Sequence, residues 1–173
     1  MTDIKKTYKN YVHGKFVRSE SGKVYSIDLK KEKYEIPLTS KKDLRDAVTS
    51  SKEGFKNWNQ LTMCNISHQE SIGVTFTLSP NSMSLNELVK SFLPALTVGC
   101  SVINFSDENA VIALKLSEDV NNSDFPSGSL NLLSGKFENI IEDVGGHVEI
   151  KHAAIYEDIS KKSKEIIGQK GSE

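Results

Sequence analysis

From Ser71 onward, short runs of β-branched and aromatic residues alternate with segments whose apolar residues recur at helical spacing. Residues 72–78 form the first such run and predict a buried strand. Ser84 and Glu87 then have the spacing of a capping box, which predicts the start of a helix, and Gly99 should stop that helix. Its apolar face repeats every three or four residues and comprises Leu85, Leu88, Val89, Phe92, Leu93 and Leu96.

The same alternation continues toward the end of the chain. It predicts strands at 101–105, 129–133 and 149–155, separated by helices at 108–121 and 137–145. Strands that alternate with helices of this length pair in parallel through right-handed crossovers. The second half of the chain therefore predicts a doubly wound, mostly parallel α/β sheet. A basic helix with an apolar stripe should follow the last strand, and the stripe is formed by Ile159, Ile166 and Ile167.

The first part of the chain has a different pattern. Residues 8–17 and 23–28 are rich in strand-forming types and are separated by a turn-forming Ser-Glu-Ser-Gly stretch, which predicts a hairpin between them. A short strand is expected at 34–36. Ser40 and Asp43 then favour a helix start, and the helix should bury one face as far as Trp58.

These patterns predict one compact unit with two parts. Residues 1–62 should form an N-terminal β-hairpin and helix that pack on the core. Residues 63–70 show neither period and should form a joint, and residues 71–173 should form the α/β domain. A chain of 173 residues is long enough to bury a core of its own without disulfides or metals.

The charge balance excludes several classes of partner. Lys and Arg number 22 against 23 Asp and Glu, which gives a net charge of -1 and no electrostatic footprint for nucleic acid or an anionic membrane. No apolar run approaches the roughly 20 residues of a membrane span, and the N-terminus lacks the apolar core of a signal peptide. We therefore expect a cytoplasmic protein.

The cysteines and histidines give little support for catalysis or metal binding. Cys100 falls at the start of a predicted buried strand and should be a small core residue. Cys64 lies near His68 in the predicted joint, an arrangement that could bring a thiol and an imidazole together, but catalysis by Cys64 is not the favoured interpretation. The four histidines share no metal-ligand spacing, so no metal is expected.

Two stretches carry a resemblance to a known family. Residues 11–22 read YVHGKFVRSESG, and residues 93–99 and 125–135 read LPALTVG and FPSGSLNLLSG. In this order they resemble the N-terminal hairpin and the cofactor-binding half of aldehyde dehydrogenases. The resemblance implies a Rossmann-like sheet that binds NAD(P) at the carboxyl ends of its strands.

Several positions depart from the family pattern. The family's P-W-N-F-P, whose Asn helps to hold the oxyanion, appears with Ser82 at the Asn position. The Lys of its K-P-S-E, which contacts the adenine ribose, is replaced by Phe105, while the acidic residue remains as Glu108. Phe137 and Ile141 occupy two positions that are glycine in the family's phosphate-binding turn, and such bulky residues disfavour that turn.

Four residues remain as candidates for contact with a cofactor, and NAD(P) is a possible rather than a certain ligand. They are Glu108, Ser106, Pro80 and Gly135, which stand at or just after the ends of predicted strands. Helix starts near Ser84, Asp107 and Lys136 would direct amide hydrogens toward the same crevice. The alternative reading is that all of these are ordinary helix caps and turns.

Two segments of the family pattern are missing from the sequence. Full-length members insert helices between the positions of Thr62 and Ser71, and they continue beyond Asp158 into a catalytic domain that supplies the nucleophilic Cys and the general-base Glu. We therefore expect no catalytic residue here. The favoured hypothesis is a non-catalytic accessory or structural subunit of an aldehyde dehydrogenase complex.

Two alternative functions stay open at this stage. The first is an oxidoreductase that oxidises aldehydes with NAD(P) only together with a partner chain. The second is a small nucleotide-binding module. A sheet that lacks its family's further domains should leave apolar surface or a strand edge to be covered, so we expect a homo-oligomer or a complex with a full-length aldehyde dehydrogenase.

Overall fold

A computed structural model of the chain describes residues 4–63, 71–79 and 84–156. Most of its strands form one six-stranded sheet with helices on both faces, and three form a smaller sheet. The strands are β1 (Ile4–Thr7), β2 (Asn10–Val12), β3 (Lys15–Val17), β4 (Val24–Leu29), β5 (Glu32–Pro37), β6 (Val74–Leu78), β7 (Ser101–Ser106), β8 (Leu130–Ser134) and β9 (Ile150–Ile155). The helices are α1 (Lys41–Met63), α2 (Leu85–Thr97), α3 (Ala110–Asn121) and α4 (Ile141–Gly146), with a 3-10 turn at Phe137–Asn139.

The large sheet has the strand order β3-β2-β8-β7-β6-β9. Strand β6 pairs in parallel with β7 and with β9, and β7 pairs in parallel with β8. The chain thus runs from β6 outward to β8 and then returns to the other side of β6. This arrangement confirms the predicted doubly wound, mostly parallel sheet, and it places the reversal of strand order between β6 and β9.

The predicted hairpin between residues 8–17 and 23–28 is wrong, because these two segments pair with other strands. Strands β2 and β3 pair with each other around a tight turn at His13 and Gly14, which have φ of 53° and 69°. Strand β2 also pairs antiparallel with β8, so this hairpin extends the large sheet. The Ser-Glu-Ser-Gly stretch does turn, but it leads from one sheet to the other because β4 pairs with β5 and not with β3.

The small sheet has the order β1-β5-β4. Strands β4 and β5 form a second tight hairpin, with Lys30 and Lys31 at φ of 52° and 66°. The predicted strand at 34–36 is confirmed as part of β5. Strand β1, which the sequence pattern did not predict, pairs in parallel with the other side of β5.

Two apolar clusters cover the two faces of the large sheet. On one face, α1 and α4 contribute Leu44, Ala47 and Val144 to a cluster that includes Phe76 and Phe105. On the other face, α2 and α3 contribute Leu88, Phe92, Leu96 and Leu114. These side chains form one cluster with Tyr8 and Ile36 of the N-terminal part. The N-terminal strands and α1 are therefore part of both clusters.

Two predicted helix starts, those of α1 and α2, are confirmed by capping hydrogen bonds. Asp43 N–H donates to Ser40 Oγ at 3.3 Å, and the Asp43 carboxylate accepts from Ser40 N–H at 2.7 Å. Ser84 and Glu87 form the predicted capping box of α2, which continues through Pro94. The predicted helix at 108–121 begins two residues later, at Ala110, and the predicted helix at 137–145 is split into the 3-10 turn and α4.

Helix α1 is fixed to the sheet by a fully buried amide. Asn131 Nδ2 donates to Ser51 Oγ at 2.8 Å and to Gly128 O at 3.1 Å. Its Oδ1 accepts from Ser50 Oγ and from His13 N–H, both at 2.9 Å. Each hydrogen-bonding group of this side chain is thereby satisfied, and one residue joins α1, β8 and the β2–β3 turn.

Several predictions fall outside the described residues. These are the joint at 64–70 with Cys64 and His68, the positions of Pro80 and Ser82, and the basic helix after Tyr156. Among the described helices, none combines the length and the apolar character that a membrane span requires. The division into residues 1–62, 63–70 and 71–173 stays a prediction.

Candidate functional site

The parallel strands β8, β7, β6 and β9 end at one edge of the sheet, and this edge is the candidate site. In open α/β sheets, ligands bind beyond the carboxyl ends of the strands near the reversal of strand order. The strand ends here are Ser134, Ser106, Leu78 and Ile155. Of the four predicted contact residues, Ser106, Glu108 and Gly135 are described at this edge, while Pro80 lies outside the described residues.

Ser106 belongs to a buried network of polar side chains. Its Oγ donates to Asn104 Oδ1 at 3.3 Å, and the side chain is 0% exposed. Asn104 Nδ2 in turn donates to Thr77 Oγ1 at 2.9 Å and to Ser79 Oγ at 2.7 Å. The network ties β6 to β7 on the face covered by α2 and α3, so the Ser106 hydroxyl is directed into the protein.

Gly135 is closely packed by the protein's own backbone. It has φ of 151°, and a Cβ atom at this position would lie 3.1 Å from Thr39 N and 3.3 Å from Phe105 Cζ. Gly135 N–H donates to Ser106 O at 3.2 Å, and Thr39 N–H donates to Ser134 O at 3.0 Å. The segment between β5 and α1 therefore lies across the space next to this glycine.

The two bulky residues after Gly135 are part of the core. Phe137 and Ile141 are each 6% exposed. The Phe137 ring lies 6.0 Å from the Phe76 ring and 6.1 Å from the Phe105 ring, measured between centroids. The turn that follows Gly135 therefore packs against the sheet through apolar side chains.

Glu108 has a different environment from the other candidates. It is exposed and lies on the rim of a shallow groove of about 670 Å³ between β4 and the start of α3. Tyr25, Asp28, Asp107 and Lys136 also line this groove. Among the predicted contact residues, Glu108 is the one that lines this groove.

Asp107 is held between two side chains at the base of this groove. Tyr25 Oη donates to Asp107 O at 2.9 Å, and Lys136 Nζ donates to Asp107 Oδ1 at 2.7 Å. Burial raises the pKa of the Asp107 carboxyl, and the hydrogen bond from Lys136 opposes that rise. Burial also raises the pKa of the Tyr25 phenol, with a further contribution from the charge of Asp107. Both groups thus favour their protonated forms more than they would in water.

Sequence reasoning missed the residues that shape this edge. Tyr25 comes from β4, Thr39 from the segment before α1, and neither stands in a motif that indicates proximity to β7 or β8. Lys136 directly precedes the 3-10 turn, as expected of a helix start, and its side chain also forms an ion pair with Asp107. Only the docking of the small sheet on the large one brings these groups together.

The described part of the chain holds one cysteine, Cys100, and it is 1% exposed. This confirms the prediction of a small core residue. In the described ranges, no three His, Cys, Asp or Glu side chains come together in a way that would hold a metal ion.

The chain has clear relatives. It matches the family model described as the aldehyde dehydrogenase family over residues 62–156. A malonate-semialdehyde dehydrogenase from Lacticaseibacillus casei is 30% identical over 99 residues, an alignment that covers 49% of this chain and 20% of that protein.

Solved structures agree at the level of the fold. An aldehyde dehydrogenase from Bartonella henselae superposes with a TM-score of 0.78 at 16% identity, covering 99% of this chain and 50% of that chain. A mutant of aldehyde dehydrogenase C from Pseudomonas syringae, solved with NAD+ and octanal, gives a TM-score of 0.79 at 15% identity, covering 99% and 49%. The chain spans about half the length of these structures and about a fifth of the curated relative.

The family match covers more than half of the chain, and its parallel core has the same fold as these enzymes. The chain belongs to the aldehyde dehydrogenase family.

Proposed function

We propose that this chain is a non-catalytic aldehyde dehydrogenase-like protein that acts as an accessory or structural subunit of an aldehyde dehydrogenase complex. The observation that carries the proposal is that the carboxyl ends of β7 and β8 are covered by the protein's own residues. Thr39 lies against Gly135, and the Ser106 hydroxyl is directed into a buried network. A dinucleotide requires open backbone and exposed polar groups at these positions.

Opening this edge for a ligand would be energetically unfavourable. A ligand that approached Gly135 would have to displace Thr39 and break its hydrogen bond to Ser134 O. Leaving buried polar groups without partners costs about 1–3 kcal/mol each. These contacts support the proposal that the chain does not bind a dinucleotide in the family's manner.

The thiol chemistry supports the same proposal. Aldehyde oxidation in this family requires a thiolate that reaches the substrate carbon. A reactive thiolate needs partial exposure and a nearby base or cation. Cys100 is 1% exposed and packs at the start of β7. A thiol this deeply buried lacks the exposure that a nucleophile needs, which supports the proposal.

Two measurements on the purified full chain test this proposal. We expect no heat of binding in calorimetric titrations with NAD+ and NADP+, and no NADH formation from short-chain aldehydes. Steady turnover by the chain alone at ordinary enzymatic rates would overturn the proposal. Co-purification with a full-length aldehyde dehydrogenase after co-expression is the positive result expected for a subunit.

The groove beside Glu108 favours one second candidate, a weak nucleotide-binding module. An exposed carboxylate there has the geometry to accept hydrogen bonds from a sugar hydroxyl. If this function holds, the Glu108→Gln variant loses most of its calorimetric affinity for NAD(P), and the control Glu138→Gln, also an exposed carboxylate, keeps it.

Activity that appears only in a mixture with a partner enzyme, and disappears when the partner's own thiol is replaced, would instead indicate a partner-dependent oxidoreductase.

A further inference from the structure

A small groove lies where the chain crosses between the two sheets. Its volume of about 400 Å³ is within the usual range of small-molecule sites in proteins. Its walls come from the link between β1 and β2, from the turn between β3 and β4, and from β5. Ser106, Glu108 and Gly135 are not among its lining residues, so this groove is distinct from the candidate site described above.

The charge of this groove is positive. Lys9, Arg18 and Lys23 all line it, and among the described lining residues Glu35 is the one carboxylate. Three cations against one carboxylate leave a local excess of two positive charges, although the whole chain has a net charge of -1. A cleft that is lined mainly by one sign of charge raises the local concentration of ions of the opposite sign.

The three cations of the groove have no counter-charge in the described part of the chain. Six other lysines form ion pairs with carboxylates, whereas Lys9, Arg18 and Lys23 form none with any described residue. The Glu35 carboxylate instead accepts a hydrogen bond from Thr7 Oγ1 at 2.9 Å. Like charges that converge without a counter-charge repel one another, so a bound anion would relieve an unfavourable interaction.

Hydrogen bonds fix the backbone around the groove. Tyr8 N–H donates to Glu35 O at 2.8 Å, and Leu38 N–H donates to Lys23 O at 2.9 Å. Ser19 Oγ donates to Leu38 O at 2.7 Å and thereby anchors the turn that follows β3. The backbone from which the three cationic side chains extend therefore does not have to be ordered when a ligand binds, which lowers the entropic cost of binding.

The charge and the donor types of the groove favour a phosphate group. A phosphate monoester carries a charge of about −1.5 to −2 at pH 7, which matches the local excess, whereas a single carboxylate would leave one positive charge uncompensated. The planar guanidinium of Arg18 offers two parallel N–H donors to phosphate oxygens, and the ammonium groups of Lys9 and Lys23 bind as point charges. The Glu35 carboxylate can accept a hydrogen bond from a hydroxyl group of the same ligand.

We propose that this groove binds a small molecule that carries a phosphate group, held by Arg18 together with Lys9 and Lys23. The site is formed by described residues between Thr7 and Pro37. Binding there requires neither a partner chain nor the carboxyl edge of the parallel strands, so it holds or fails independently of the accessory role proposed above.

The first test is a titration of the full chain with inorganic phosphate and with glycerol 3-phosphate at constant ionic strength, followed by amide NMR. We expect saturable shifts of the Lys9, Arg18 and Gly22 signals. Arg18→Gln should weaken binding about tenfold, because it removes a charged hydrogen-bonding partner. The control Arg45→Gln changes the charge equally at an exposed site on α1 and should leave the affinity unchanged. Equal affinities of the two variants, shifts that do not saturate, or tighter binding of the dicarboxylate succinate would overturn the proposal.

The second test measures thermal stability. In a chloride buffer of low ionic strength, Arg18→Gln should melt at a higher temperature than Arg45→Gln, because it removes repulsion within the groove. Phosphate should raise the melting temperature of the unaltered chain, because a ligand that binds only the folded state stabilises it, and it should raise that of Arg18→Gln less. An equal phosphate-induced rise in the two variants would mean that phosphate acts on the protein in general, and it would overturn the assignment of this site.

Discussion

Gly54 of α1 and Gly128 of the turn before β8 pack backbone against backbone. A Cβ atom on Gly54 would lie 2.1 Å from the carbonyl carbon of Gly128, and one on Gly128 would lie 2.4 Å from Ser50 O. Gly128 also has φ of 84°, a conformation that residues with side chains rarely adopt. Glycine at both positions lets the helix backbone touch the turn before β8.

We predict that Gly54→Ala destabilises the protein although alanine is the better helix former. The helix preference contributes about 1 kcal/mol in favour of alanine, but overpacking against backbone that cannot rotate away costs about 1–3 kcal/mol or more. Urea denaturation should show a net loss of about 2 kcal/mol. The control Gly146→Ala, with no atom within 4 Å of the added methyl group, should be neutral or slightly stabilising. Equal behaviour of the two variants would contradict this reading.

The Asp107–Lys136 ion pair leads to a prediction on pH dependence. The pKa of Asp107 is raised by burial, so the group's contribution to stability is fully present below its unfolded pKa and is lost as the pH rises from there through its folded pKa. Lys136→Met should raise the pKa of Asp107 further, because the hydrogen bond and charge that lower it are removed. Carbon-detected NMR titration of the Asp107 carboxyl measures this directly. Lys115→Met, an exposed site elsewhere on α3, should leave the pKa of Asp107 unchanged.

At the scale of elements, two tight hairpins organise the N-terminal part. Their central residues, His13 with Gly14 and Lys30 with Lys31, all have positive φ. This geometry matches the twist of the flanking strands, and it is preferred by Asn and Gly. The first hairpin has a glycine at one of its two positions, whereas the second holds two lysines in a conformation that costs about 1–2 kcal/mol per residue with a side chain.

We predict that replacing the Lys30 and Lys31 pair by Asn and Gly stabilises the protein by about 1 kcal/mol, because the strained backbone is relieved at both positions. The free energy of unfolding in urea is the measurement. A Lys30→Ala and Lys31→Ala double variant removes the same charges but keeps the side-chain strain, so it should give no gain. A gain of the same size in both variants would mean that charge repulsion, and not backbone conformation, governs this turn.

At the scale of the whole molecule, the N-terminal part and the α/β part share their cores. Val12, Leu44 and Val48 belong to the cluster on one face of the large sheet, and Tyr11 and Ile36 belong to the cluster on the other. Strand β2 also pairs with β8. Removing residues 1–62 would therefore expose both faces of the sheet.

We predict that residues 71–173 expressed alone do not fold. Losing the apolar side chains of α1 and β2 removes several contributions of about 1.5–3 kcal/mol each, which exceeds the stability of a typical domain. The one-bond amide NMR spectrum of this fragment should be poorly dispersed, whereas the full chain should give a dispersed spectrum and a single unfolding transition. A well-dispersed fragment spectrum would establish the α/β part as an independent domain.

Much of the secondary structure could be predicted from local pattern. The capping boxes at Ser40 and Ser84 fixed two helix starts, and the β-branched runs located β6, β7, β8 and β9 within a few residues. The start of α3 was predicted too early because Asp107 and Glu108 suit a helix first turn by composition. In the fold, the Asp107 carbonyl accepts from both Ala110 N–H and Tyr25 Oη, its carboxylate is bound by Lys136, and the regular helix begins at Ala110.

The candidate site was less predictable than the fold. Glu108 is exposed on a groove, as a contact residue must be, but Ser106 and Gly135 are closed off by Asn104 and Thr39. Local sequence places a residue at the end of a strand, yet it does not determine what packs over that end. The contact with Thr39 joins positions far apart in the chain, so no local pattern contains it.

The sequence by itself determined the alternation of strands and helices, the parallel core that follows from it, and the family resemblance, because period, capping and turn chemistry act between residues a few positions apart. The tertiary structure alone decided the pairing of β2 with β3 and β8, the second sheet, and the contacts of Thr39 and Tyr25 with the ends of β8 and β7. These depend on contacts between distant segments, whose free energies are set by packing and by the burial of shared hydrogen bonds, and not by any one segment's own preference.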